Sequence, residues 1–117
     1  MPKYCAIGTI GYSAVDGNRP DDDGLLLYIK PAYYGTEPRD VCAYADSYPS
    51  FPHQSTGDQW YSESQFEAYR QLGYYTLDQV ARSKRSFDSV CALIQEAKAY
   101  VDEQKKVGKD ASASPLK

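Results

Sequence analysis

The sequence predicts an α/β chain, α+β when taken by itself, with two N-terminal strands forming part of a sheet and three to four helices after them. Three observations carry this. Leu25-Leu26-Leu27-Tyr28-Ile29 is an unbroken apolar run stopped by Lys30-Pro31, the signature of a strand. Tyr4 to Tyr12 mixes small, β-branched and aromatic residues with Gly8 and Gly11, which suits a bent or bulged strand. From Pro38 onward, apolar residues recur at helical spacing behind residues that cap helices.

At 117 residues the chain fits one domain, residues 1–108, followed by a small-residue tail from Lys109 to Lys117 with nothing to pack. Between the strands, Asp16 to Gly24 is dense in residues that favour turns, so it reads as a surface loop. The run from Leu25 to Ile29 lacks alternation, which implies a central strand covered on both faces. With one other strand in the chain, that cover must include companions the sequence does not supply.

The first long helix is expected from Pro38 to about Ser47, with Thr36 or Glu37 as cap and Pro38 in the first turn. Two prolines make Tyr48 to Gly57 an ordered loop. Ser62 and Gln65 form a capping box, and Phe66, Tyr69 and Leu72 make a stripe ending at Gly73, so a helix is expected from Glu63 to about Leu72. Thr76 with Gln79 opens a further short helix. The last helix is expected to be capped by Ser86, with Phe87, Val90, Cys91, Ile94, Ala97 and Val101 as its apolar stripe, ending near Lys106.

Composition excludes several functions. Thirteen Lys and Arg against 16 Asp and Glu give a formal charge of -3 with the signs intermixed, which disfavours nucleic acid. No apolar run is long enough for a transmembrane segment or a signal peptide. Cys5, Cys42 and Cys91 are odd in number, scattered and in apolar contexts, which points to small hydrophobes in a reducing, cytoplasmic compartment.

No cofactor or metal site is expected. A lone histidine and scattered cysteines give no zinc spacing, and the Asp21 to Asp23 turn lacks the ligand spacing of a calcium loop. Gly11-Tyr12-Ser13-Ala14-Val15 lacks the second glycine of a serine elbow, and there is no phosphate loop. The most unusual stretch holds His53, Gln54, Ser55, Thr56 and Asp58 between Pro52 and Trp60. His53, Ser55 and Asp58 have the residue types of a triad, but neighbours on one loop rarely converge in relay order. Their expected role is to organise the loop through hydrogen bonds to its backbone, or to wall a substrate region, with no catalytic residue among them. The tyrosine pairs Tyr33-Tyr34 and Tyr74-Tyr75 fit either a docking surface or the edge of the core.

Four blocks, Asp23 to Pro31, Gly35 to Val41, Phe51 to Thr56 and Gln65 to Gly73, resemble in the same order the C-terminal part of large bacterial patatin-like phospholipase proteins. The resemblance covers about Ala6 to Gly73. It implies a parent that hydrolyses acyl esters of lipids with a Ser-Asp dyad, the Ser on Gly-x-Ser-x-Gly and the Asp in Asp-Gly-Gly or Asp-Gly-Ala. Asp16-Gly17-Asn18 and Asp23-Gly24-Leu25 both fail the second motif, so no catalytic residue carries over. The expectation is a non-catalytic segment supplying a sheet strand and covering helices, whose partner is the rest of a hydrolase domain. Lipid would be reached only through that parent, in the cytoplasm or peripheral to a membrane. The alternative is an autonomous protein-interaction module. A small enzyme centred on His53 and Asp58 is a third reading.

Overall fold

The computed structural model describes residues 3–17 and 19–112, without side chains for residues 109–112. Two antiparallel strands are followed by three long helices in a mixed α+β arrangement. β1 (Cys5–Ile10) pairs with β2 (Gly24–Ile29) in the register Cys5 opposite Ile29 and Ile7 opposite Leu27. The connection contains a single helical turn, α1 (Ser13–Asp16), and a 3-10 turn (Pro20–Asp22). It is tied at its base by Asp23, whose carboxylate accepts from the Ser13 N–H at 2.8 Å and the Ser13 hydroxyl at 3.1 Å. Those side-chain bonds to backbone and hydroxyl hold the loop that joins the strands.

α2 (Arg39–Ser47) buries Val41, Tyr44 and Ala45. Pro38 stands at its cap without a side-chain bond, so neither Thr36 nor Glu37 caps it as the sequence suggested. α3 runs unbroken over Glu63–Val80 and spans about 27 Å. Glycine at position 73 therefore does not end it, and Thr76 and Gln79 lie inside one helix instead of opening another. The reason is tertiary. Ala68, Leu72, Thr76 and Val80 recur every four residues and are all buried. A glycine in mid-helix costs only about 1 kcal/mol, less than that continuous seam contributes. Phe66, expected on the seam, is 63 % exposed, and Ala68 takes its place.

α3 ends instead at two residues in the left-handed region, Arg82 (φ 52°) and Ser83 (φ 59°). The Ser83 N–H reaches back to the Asp78 carbonyl at 2.9 Å, the long closing bond of a Schellman-type stop. Ion pairs hold this turn onto the last helix: Arg82 to Glu103 at 2.7 Å, and Lys84 to Glu96. α4 covers Val90–Ser112. Its cap is Ser89, whose hydroxyl accepts from the Ala92 N–H at 3.2 Å, not Ser86. The face turned inward is also shifted from the expected stripe: Val90 and Cys91 are exposed, while Ala97 and Tyr100 are buried. The helix passes Lys106 as far as Ser112, and residues 113–117 of the expected tail lie outside the described residues.

Two cores result. One joins α2, the 48–57 loop and the first half of α3 through Val41, Tyr44, Phe51, Ala68 and Leu72. The other joins the hairpin, the end of α3 and α4 through Tyr4, Val80, Ala97 and Tyr100, with Ile7 and Leu27 packed against it. The radius of gyration is 18.0 Å, well above the roughly 13–14 Å of a compact chain of this length. α3 spans the gap between the cores.

The hairpin packs one face only. Leu27 packs against the second core, whereas Leu26 and Tyr28 on the opposite face are 50 % and 55 % exposed, and Leu25, beyond the core on Leu27's own face, is 48 % exposed. The central strand expected from its composition is thus open on one face and, among the described residues, unpaired along its outer edge.

Candidate functional site

The 48–57 loop meets α3 along an open groove of about 380 Å³. Pro52, Tyr61, Phe66 and Tyr69 give it an apolar wall, and Gln54, Ser55, Thr56 and Gln65 supply its polar groups. Two devices set the loop. Phe51 is buried among Tyr44 and Tyr69, with ring centroids 5.3 Å and 4.9 Å away in edge-on contacts. Edge-on aromatic packing of this kind fixes ring orientation as well as burying area. Gln54 then ties the loop to both helices. Its side chain bonds the Tyr44 hydroxyl at 3.3 Å and accepts from the Gln65 amide at 3.2 Å, and its N–H donates to the Tyr69 hydroxyl at 3.4 Å.

The other residues of the stretch act locally. The Ser55 hydroxyl accepts from the Gly57 N–H at 3.2 Å, and the Asp58 carboxylate accepts from the Trp60 N–H at 3.0 Å. The exposed His53 donates its backbone N–H to the Ser50 carbonyl at 2.7 Å. Thr56 lines the groove. Among the described residues, no hydrogen bond joins His53 to Ser55 or Asp58, so the three triad-type residues are neighbours without a relay. A hydroxyl without a base to take its proton is not an activated nucleophile. The groove's chemistry is that of amides, hydroxyls and aromatic faces, which bind and orient neutral groups and do not transfer protons near neutral pH. Trp60 stands beside it 92 % exposed.

Gln65 was expected to return its side chain to the cap of α3. Only half of that box forms: its N–H donates to the Ser62 hydroxyl at 3.2 Å, while its side chain goes to Gln54. Tyr44 and Tyr69, the other two members of this network, carry no sequence signal beyond their helical spacing.

A second polar arrangement escaped the sequence entirely. Glu37 is 6 % exposed, and one carboxylate oxygen accepts from the Tyr4 hydroxyl at 2.6 Å and from the Tyr34 N–H at 3.0 Å. Burial pushes its carboxyl up, but the Tyr4 hydroxyl and the backbone N–H groups of Tyr34, Glu37 and Gly35 outweigh burial and hold it below the usual carboxylate range. Burial, and then the bond to Glu37, push the Tyr4 phenol well above its ordinary value. Among the described residues, the second oxygen of Glu37 is buried without a hydrogen-bond partner. This pair anchors β1 to the segment leading into α2. Its sequence signal is faint, because positions 4 and 37 are linked only by the fold.

Of the three cysteines, Cys5 and Cys42 are partly buried, whereas Cys91, expected on the apolar stripe of the last helix, is exposed. The Cys42 thiol donates to the Glu37 carbonyl at 3.2 Å, and burial pushes the Cys5 thiol up, away from reactivity. Among the described residues no cluster of His, Cys, Asp and Glu could hold a metal ion, and no helix is long and apolar enough to cross a membrane. No protein-family model, no curated protein and no solved structure matches the chain.

Proposed function

We propose that the chain is non-catalytic and completes a β-sheet with strands that lie outside these residues, as a late segment of a patatin-like lipid acyl hydrolase. The observation that carries this reading is the open hairpin. Leu25, Leu26 and Tyr28 stand about half exposed on a strand whose composition suits a sheet interior. In such a parent the Ser-Asp dyad would lie upstream, α2 and α3 would cover the sheet, and the groove beside Gln54 would form part of the wall of the substrate region. Lipid would be reached only through the parent, in the cytoplasm or at a membrane periphery. The resemblance ends at Gly73, in the middle of α3, so the end of α3 and all of α4 are supported by no part of it. The test is acyl-ester hydrolysis by the isolated chain, with no turnover expected. Clear turnover that is lost on Ser55→Ala overturns the reading.

A second reading, an autonomous protein-interaction module, is favoured by the two cores that the chain closes with its own residues. It expects a cooperative melt and a defined monomer or dimer. A segment taken from a larger sheet aggregates or stays molten instead.

A further inference from the structure

The outer edge of β2 is complementary to itself. The Lys30 N–H donates to the Tyr4 carbonyl at 3.0 Å, and Cys5 faces Ile29. Bonded and non-bonded pairs alternate in an antiparallel ladder, so Gly24, Leu26 and Tyr28 exchange bonds with β1. Leu25, Leu27 and Ile29 therefore turn their N–H and C=O groups outward, and among the described residues none of these groups is bonded to another segment. The open stretch stops in a matching way at each end. The Asp23 N–H is taken by the Pro20 carbonyl at 3.1 Å, and Pro31 has no N–H.

Strand edges are commonly protected by interior charges, prolines or bulges, and this edge is apolar over its whole length. Its charges sit at the two ends with opposite sign: exposed Asp21 and Asp22 before the strand, exposed Lys30 after it. A parallel neighbour of the same sequence would set like charges side by side. An antiparallel one sets Lys30 of each copy at the acidic end of the other.

We propose that a second copy of this chain pairs with the free edge of β2, antiparallel about a two-fold axis at Leu27. This names the partner of the interaction-module reading and rests on it. Leu27 faces Leu27 of the second copy and Leu25 faces its Ile29, so the ladder uses only outward-turned groups. On the other face, half-exposed Leu26 lies opposite Tyr28 of the second copy, an aliphatic-aromatic cross-strand pair. The product is a four-stranded sheet ordered β1-β2-β2-β1. β2 becomes a central strand, as its composition demands, and the interface is isologous and closes on itself.

Sedimentation equilibrium of the full chain tests this. The expected result is a concentration-dependent monomer-dimer equilibrium. Lys30→Glu should weaken it roughly tenfold or more, because it sets three acids together. Asp21→Lys with Asp22→Lys should weaken it similarly, and all three changes together should restore it. Leu25→Pro removes an outward N–H that β1 does not use, and should leave far-ultraviolet circular dichroism intact while abolishing the dimer. A dimer indifferent to Lys30→Glu and to Leu25→Pro overturns the proposal, as does a monomer at every concentration. Amide exchange then separates the two ideas. A cooperatively folded monomer with fast exchange at Leu25, Leu27 and Ile29 eliminates the second copy and leaves the module reading standing, whereas a chain without a cooperative melt removes both.

Discussion

Replacing Tyr4 by Phe removes one hydroxyl and keeps the ring. The ring's edge-on contacts with Tyr34 at 5.3 Å and Tyr75 at 6.0 Å should survive, so the substitution isolates the bond to Glu37. That bond is 2.6 Å long, reaches a carboxylate that is 6 % exposed, and stabilises a group whose other oxygen already lacks a partner. Hydrogen bonds to charged groups contribute about 1.5–3 kcal/mol, and burial places this one at the upper end of the range. The expected loss at neutral pH is about 2–3 kcal/mol, a fall in Tm of roughly 8–15 °C for a chain of this size. The Glu37 carboxyl is held below its unfolded value, so its contribution is fully present above the unfolded range, near pH 4–5, and is lost as pH falls through the folded value. Urea melts of the two proteins should therefore differ most at pH 7. They should converge, toward the roughly 1 kcal/mol of a neutral hydrogen bond, as pH falls through the lowered folded value. A difference under about 0.5 kcal/mol at pH 7, or one that does not shrink in acid, refutes a buried carboxylate held by Tyr4.

The remaining predictions concern the helices and the groove. Leu72→Ala empties a site that is 0 % exposed where α3 meets α2, and should cost about 2–5 kcal/mol by denaturant melting. Ser83→Gly relieves a left-handed residue at φ 59° and should raise stability by about 1 kcal/mol, read as a higher Tm; an unchanged or lower Tm contradicts the stop assigned to α3. Gln54→Ala breaks the bonds that join the loop to α2 and α3 and should cost about 1–2 kcal/mol, whereas His53→Ala should stay within about 0.5 kcal/mol. A larger effect at His53 than at Gln54 would mean that the loop is organised differently.

Much of the local structure was legible in the chain itself. The strand at Leu25 to Ile29, the helix behind Pro38 and the Ser62 cap follow from apolar runs, proline geometry and short-range hydrogen bonding, which act within a few residues. Among the candidate site residues, the loop-setting bonds of Ser55 and Asp58 span two residues and belong to the same local physics. The pivotal role of Gln54 was less legible, since its partners Tyr44, Gln65 and Tyr69 come from two helices.

Sequence alone determined which segments extend, which coil, and that a two-stranded sheet is left incompletely covered. Tertiary structure decided where helices stop and which faces turn inward. Gly73 is absorbed because Leu72, Thr76 and Val80 are buried on the same seam, and α4 turns Ala97 and Tyr100 into the second core while Val90 and Cys91 face out. Glu37 finds Tyr4 across 33 positions of chain, a pairing set by packing between distant segments, and no periodicity or cap encodes contacts of that range.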